Sequence, residues 1–151
     1  MGATERLEAL GLTLPPVPAP AAAYRPWSRV ADLVHTAGQL PVVGGTLVRT
    51  GKLGSDLTTD EGAELARTAA LNLLAVAAEA GGGLDGLRAV KLTVFVACVP
   101  SFTEQHLVAN GASELVAAVL GDDGVHARAA VGVPALPMDS PVEVEGLFEL
   151  P

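Results

Sequence analysis

Aromatic residues are scarce in this chain: Tyr24, Trp27, Phe95, Phe102 and Phe148 are the only five in 151 positions. Half of the residues are nevertheless hydrophobic, so the core has to be assembled from Val, Leu and Ala, whose small side chains allow close packing of helix on sheet. Basic residues are also few. Nine Lys and Arg against seventeen Asp and Glu leave a net charge of −8, which opposes the phosphate neutralisation that dominates nucleic-acid affinity, so no nucleic-acid partner is expected. The single cysteine, Cys98, excludes an intramolecular disulfide, and with no CxxC pair or Cys/His cluster there is no metal signature. No apolar run is long. The most apolar stretch, residues 69–78, is interrupted by Asn72 and falls well short of the roughly 20 apolar residues that span a bilayer, so no membrane partner is expected. The N-terminus MGATERLEALGLTLPP has neither the basic start nor the apolar run of a secretory signal, and a reducing, cytoplasmic setting is expected.

What is present fits one domain with an extension. Thr4 is a candidate N-cap for a short helix over 5–10, with Gly11 placed to stop it. Four prolines within 15–20 favour extended backbone. Residues 1–23 are therefore expected to be a helical appendage on a Pro-rich tether, and 24–151 the domain proper. Short strands are expected over 27–30 and 33–39, and a third over 46–50 after a Gly44-Gly45 turn. Thr58 or Thr59 followed by Asp60, Glu61 and Glu64 predicts a helix over 60–80, which Leu65, Ala69, Leu73 and Val76 make apolar on one face and Gly81-Gly82-Gly83 ends. Alternation of Val90, Leu92, Val94 and Val96 predicts a strand. A second helix, capped by Ser101 or Thr103, should run to Gly121, and strands over 127–133 and 142–150 should close the chain around a 134–141 turn. The order βββαβαββ describes an α+β domain: a six-stranded mixed sheet with two helices on one face. Two helices leave the other sheet face uncovered, and oligomerisation is the economical way to cover it.

Familiar catalytic motifs are missing. The Gly81-Gly82-Gly83 run has no Lys-Ser/Thr pair after it and reads as a helix stop. His35, His106 and His126 lack metal-binding spacing, Cys98 has no cationic neighbour in sequence, and Ser140 has no nucleophile elbow. What remains is Arg128 in the apolar strand over 127–133. Alternation puts it on one face with Ala130 and Gly132, small residues that leave room around a guanidinium. A semi-buried arginine needs an anion, and the pattern leaves two sources open: an ion pair with Glu143 or Glu145 on the next strand, or a ligand.

The stretch from Arg128 through Val131, Val133, Leu136-Pro137 and Val142-Glu143-Val144-Glu145 resembles the C-terminal signature of the RidA (YjgF-like) family. Thr36-Ala37-Gly38-Gln39-Leu40-Pro41, Asn72, Glu79-Ala80-Gly81-Gly82 and the strand over 90–96 add to the resemblance, in order along the chain from about Tyr24 to Leu150. It implies a chorismate-mutase-like fold, a homotrimer with its sheets facing inward, clefts between subunits, and no cofactor or metal. The implied activity is hydrolysis of small 2-imino or 2-enamino acids to 2-keto acids and ammonia. By position, Arg128 matches the arginine that binds the substrate carboxylate and Glu143 the acid that holds the attacking water. Tyr24 matches a tyrosine of the cleft wall, Gly38 a backbone turn facing the ligand, and Asn110, more weakly, an asparagine near the pocket. Ala37 and Ala130 stand at pocket positions where many or some members carry Ser and Cys, and the loop over 44–55 is longer than in compact members, so the substrate preference is expected to differ. The rival reading is a noncatalytic trimeric regulatory protein that binds a small carboxylate in the same cleft. A ribonuclease fits the acidic charge and the scattered histidines poorly.

Overall fold

The computed structural model describes residues 1–19 and 23–151. Seven strands and three helices follow in the order α1 (Ala3–Ala9), β1 (Trp27–Val30), β2 (Leu33–Thr36), β3 (Val42–Val43), β4 (Thr46–Leu47), α2 (Thr59–Gly81), β5 (Arg88–Ala97), α3 (Gln105–Leu120), β6 (Ala127–Val133) and β7 (Val142–Glu149). Five of the strands form one mixed sheet in the order β1-β2-β7-β5-β6. Within it β5 and β6 are parallel, joined through α3, and the other neighbours are antiparallel.

The α+β class with both long helices on one sheet face is as expected; the strand count is not. In place of a six-stranded sheet there are five strands and a separate hairpin, β3–β4, turning at Gly44 (φ 59°) and Gly45 (φ 82°). Helix α2 holds the start of this hairpin: Asn72 Nδ2 donates to the carbonyls of Leu40 (2.9 Å) and Val42 (3.0 Å). Before it leaves the sheet, the chain makes one bridge to β7, with Gln39 N–H on Val144 O at 2.8 Å and Val144 N–H on Gln39 O at 2.9 Å.

Helix α2 starts with a reciprocal cap. Thr58 Oγ accepts from Glu61 N–H (3.2 Å) and the Glu61 carboxylate accepts from Thr58 N–H (2.7 Å), which settles the choice between Thr58 and Thr59. The Thr58 backbone N–H, and after it the Arg49 guanidinium, hold the Glu61 carboxyl below its ordinary pKa. Helix α3 departs from expectation, because neither Ser101 nor Thr103 caps it. It begins at Gln105, after Glu104, whose side chain instead accepts from Thr59 Oγ1 on α2 (3.0 Å).

The core lies between the helices and one sheet face. Leu92, Val94 and Val96 of β5 and Val142, Val144 and Phe148 of β7 are fully buried there, against the Ala- and Leu-rich faces of α2 and α3. Small residues bring the two helices together: a Cβ at Gly111 would sit against the Ala63 carbonyl and 3.0 Å from Ala63 Cα. The opposite sheet face carries Thr93, Phe95, Ala129, Val131, Glu143 and Glu145, all at least partly exposed.

The N-terminal helix is not an appendage. Ala3 and Leu7, one turn apart, are buried in the main core; Arg6 Nε donates to the Val119 carbonyl at the end of α3 (2.7 Å). Thr4, expected as a cap, lies inside the helix and donates through Oγ1 to Asp85 Oδ2 (2.8 Å), which lowers the Asp85 pKa. Leu12 and Leu14 also pack on the core, and the end of the expected tether, residues 20–22, lies outside the described residues. No helix among the described residues is long and apolar enough to cross a membrane.

Candidate functional site

Strand β6 is an edge strand, and its register fixes where Arg128 points. Arg128 pairs with Leu92, Ala130 with Val94 and Gly132 with Val96, so these three β6 residues face the helices, as alternation predicted. Arg128 meets α3 there. Its Nη1 donates to Asn110 Oδ1 (2.9 Å) and to Ser113 Oγ (3.2 Å), and its Nη2 donates to the His106 carbonyl (3.1 Å). All three acceptors are neutral. Among the described residues no carboxylate comes within 4.0 Å of this partly buried guanidinium. The acceptors therefore set the plane of the group without cancelling its charge, and they leave Nε–H and one Nη2 hydrogen without a partner among the described residues.

The ion pair considered from the sequence is excluded by topology. Strand β5 separates β6 from β7, so Glu143 and Glu145 are not on a strand adjoining Arg128. Pairing Glu143 with Phe95 and Glu145 with Thr93 also puts both carboxylates on the open sheet face, opposite to Arg128.

Glu143 belongs to a second cluster. The segment after β2 runs on alongside β7 there, and Gly38 lies against the Glu143 side chain: a Cβ at Gly38 would come within 2.7 Å of its carboxyl carbon. Only glycine leaves space for that carboxyl. Ala37 is held beside it by its N–H on the Pro26 carbonyl (2.8 Å), and Gln39 Nε2 donates back to the Ala37 carbonyl (3.3 Å). Burial raises the Glu143 pKa above the ordinary carboxylate value, and the charge of Glu145 raises it further. A carboxyl so disposed holds its proton more tightly than a free one.

Of the seven residues that the sequence points to, the fold gathers five into two groups. Arg128 and Asn110 are brought together on the helix face, and Ala37, Gly38 and Glu143 on the open face. Ala130 faces the helices but packs its methyl on the core edge, and the room expected beside Gly132 is taken up by Cys98 Sγ and Gln105 Nε2. Tyr24 stands 54% exposed before β1, with no hydrogen bond to either group. Within one chain, then, the arginine and the acid do not share a cleft.

Two residues of the arginine cluster were missed. Ser113 had no sequence signal beyond lying three residues, one helical turn, after Asn110. His126 has one: it stands two residues before Arg128, so alternation carries it to the same side, where its Nε2 meets Ser113 Oγ at 2.9 Å.

Comparison with known proteins gives matches over nearly the whole chain. The family model described as "YjgF/chorismate mutase-like, putative endoribonuclease" matches residues 4–150. Protein TCP17 of Trypanosoma cruzi is 48% identical over 148 residues, 95% of this chain and 91% of that protein. The crystal structure of a protein of unknown function from Agrobacterium tumefaciens superposes with a TM-score of 0.91 at 44% identity, over 99% of this chain and 92% of the other. One from Shewanella oneidensis, described as a "putative endoribonuclease", reaches 0.96 at 34% identity, over 99% of this chain and 100% of the other. A RidA from a Psychrobacter species is more distant, with a TM-score of 0.61 at 26% identity over 89% of this chain and 94% of the other.

Proposed function

Because the chain belongs to the YjgF-like (RidA) family, we propose that it hydrolyses small 2-imino or 2-enamino acids to 2-keto acids and ammonia, with Arg128 as the carboxylate anchor. One observation carries this reading: a partly buried guanidinium oriented by three neutral acceptors, its charge uncompensated and two donors left over. Such a group binds a planar anion in one orientation.

The chemistry asks little more of the protein. Water oxygen bonds to the imine carbon while the nitrogen takes up a proton; the resulting carbinolamine then loses the C–N bond as ammonia leaves and the carbonyl forms. Positioning and one proton carrier suffice. Glu143 is the proton carrier in this reading: it takes a proton from the attacking water and passes it to the imine nitrogen, then takes the carbinolamine hydroxyl proton as the carbonyl forms and passes it to the departing amine, a task suited to a carboxyl whose pKa is raised. Since Arg128 and Glu143 of one chain face opposite sides of the sheet, the complete site needs the acid of a neighbouring copy. In the homotrimer of this reading a neighbouring copy brings its Glu143 to the β6 edge of this one, and Val131, 41% exposed beside Phe95, is apolar surface that such an assembly would cover. Tyr24, also exposed, would serve the cleft wall across the same boundary.

The separation of anchor and acid within one chain also favours a second reading, a noncatalytic trimer that binds small carboxylates through Arg128. Ammonia release from imino acids generated in situ by an amino-acid oxidase separates the two. Turnover above the spontaneous rate establishes the deaminase. Ligand-induced thermal stabilisation without turnover establishes the binder. Sedimentation of a stable monomer at micromolar concentration would remove the shared site from both.

A further inference from the structure

The hydrogen bonds around Arg128 continue beyond it. His126 Nδ1 lies 2.6 Å from the Gly124 carbonyl, and His126 Nε2 lies 2.9 Å from Ser113 Oγ, which in turn accepts from Arg128 Nη1 at 3.2 Å. The direction of each bond follows from its ends. A carbonyl can only accept, so Nδ1 carries the proton; in a neutral imidazole Nε2 is then an acceptor, and Ser113 has to donate to it. With its hydrogen committed to His126, Ser113 turns lone pairs toward Arg128. Without that acceptor the default for a helical serine is to donate to the carbonyl four residues back, here Ala109, which rotates the hydroxyl away.

We infer that Ser113 and His126 are positioning residues for the anchor: a relay running from the Gly124 carbonyl through His126 and Ser113 holds the Arg128 guanidinium in the plane that presents its free donors to a substrate carboxylate. The inference deepens the reading of Arg128 as anchor and rests on it. It gives a role to two residues outside the Arg128, Asn110 and Glu143 set. It also explains the tight turn before β6: a Cβ at Gly124 would meet the Val116 carbonyl at 2.5 Å, so this backbone is pressed onto α3, and its carbonyl is a fixed reference for the imidazole.

The test uses the full chain in its assembled state, with pyruvate as the carboxylate probe in calorimetric titration. Ser113→Ala and His126→Ala should each weaken pyruvate binding about threefold to tenfold, the worth of one intramolecular hydrogen bond. Conservative variants separate positioning from simple support. His126→Gln keeps an acceptor near the Nε2 position and should restore affinity; His126→Asn keeps the donor to Gly124 but not the acceptor, and should bind as weakly as His126→Ala. Restoration by Asn and not by Gln would mean that His126 merely pins the turn, and would overturn the relay. Unchanged affinity in both alanine variants, with binding lost in Arg128→Ala, would overturn the relay and leave the anchor standing. If Arg128→Ala binds pyruvate like the parent, the anchor itself fails. A ligand-free readout keeps that failure distinct. Nitrogen-15 NMR should show His126 protonated at Nδ1 and separate Nη1 and Nη2 signals for Arg128 that merge in His126→Ala; a proton on Nε2, or signals indifferent to the substitution, would refute the relay whatever the ligand does.

Discussion

Replacing Arg128 with Ala removes one charge and two sets of hydrogen bonds, and the two sets report differently. The bonds seen in the free protein go to Asn110, Ser113 and the His106 carbonyl, acceptors in a partly exposed setting that water can reach once the guanidinium is gone. Their loss should cost about 1 kcal/mol of stability, a shift of about 2–4 °C for a chain of this size. The bonds to substrate come from the remaining donors. Two charge-assisted bonds at about 1.5–3 kcal/mol each amount to about 3–6 kcal/mol, which is about 10²- to 10⁴-fold in kcat/KM. Arg128→Lys keeps the charge but neither the plane nor the fork, so it should recover part of the KM effect and little of kcat. The assay is ammonia release from an enzymatically generated imino acid, with thermal unfolding run on the same preparations. A folded Arg128→Ala protein that turns over at the parent rate would refute the anchor. One that loses its fold or assembly would instead assign Arg128 a structural role.

Three further outcomes follow from the same contacts. Glu143→Gln should slow turnover by about 10²-fold or more, the usual worth of a positioned proton carrier, while raising thermal stability at pH 7. The sign comes from the raised pKa: folding favours the protonated carboxyl, so its contribution is present at acid pH and lost as pH rises through the folded value, and the gain from Gln should vanish below about pH 4. No stability difference at pH 7 would contradict the burial argument. Gly111→Ala should cost at least about 2–3 kcal/mol, because the new methyl lands on the Ala63 carbonyl at the α2–α3 crossing; an unshifted melting curve would show that the helices can part. Leu7→Ala should cost about 2–5 kcal/mol, since the side chain is only 4% exposed, whereas a change under about 0.5 kcal/mol would restore the picture of a loose N-terminal appendage.

Local patterns were sufficient for most of the elements. Strand β6 occupies Ala127–Val133 as alternation predicted, α2 lies within a residue or so of its expected span, and the Gly44-Gly45 turn is where the glycines put it. These features depend on period, caps and positive φ, all of which a short window of sequence contains. The docking of α1 was half legible: Ala3 and Leu7 form an apolar pair one turn apart, but which surface would receive them was not written in their own segment. The β3–β4 hairpin was harder, because the Asn72 amide that holds its start lies some thirty residues away in sequence.

The site divides in the same way. Arg128, its face and its small neighbours were readable from alternation, and the family resemblance proposed Glu143 and Asn110 beside it. Only the tertiary structure could set β5 between β6 and β7, turn Glu143 to the other face, and supply neutral partners in place of an ion pair. Strand order is decided by which apolar faces pack best over the whole chain, and no stretch of sequence states it. What the sequence determined by itself was which residues can make each element and each chemical contact; which of them meet was left to long-range packing, as Ser113 and His126, thirteen residues apart and joined by one hydrogen bond, demonstrate.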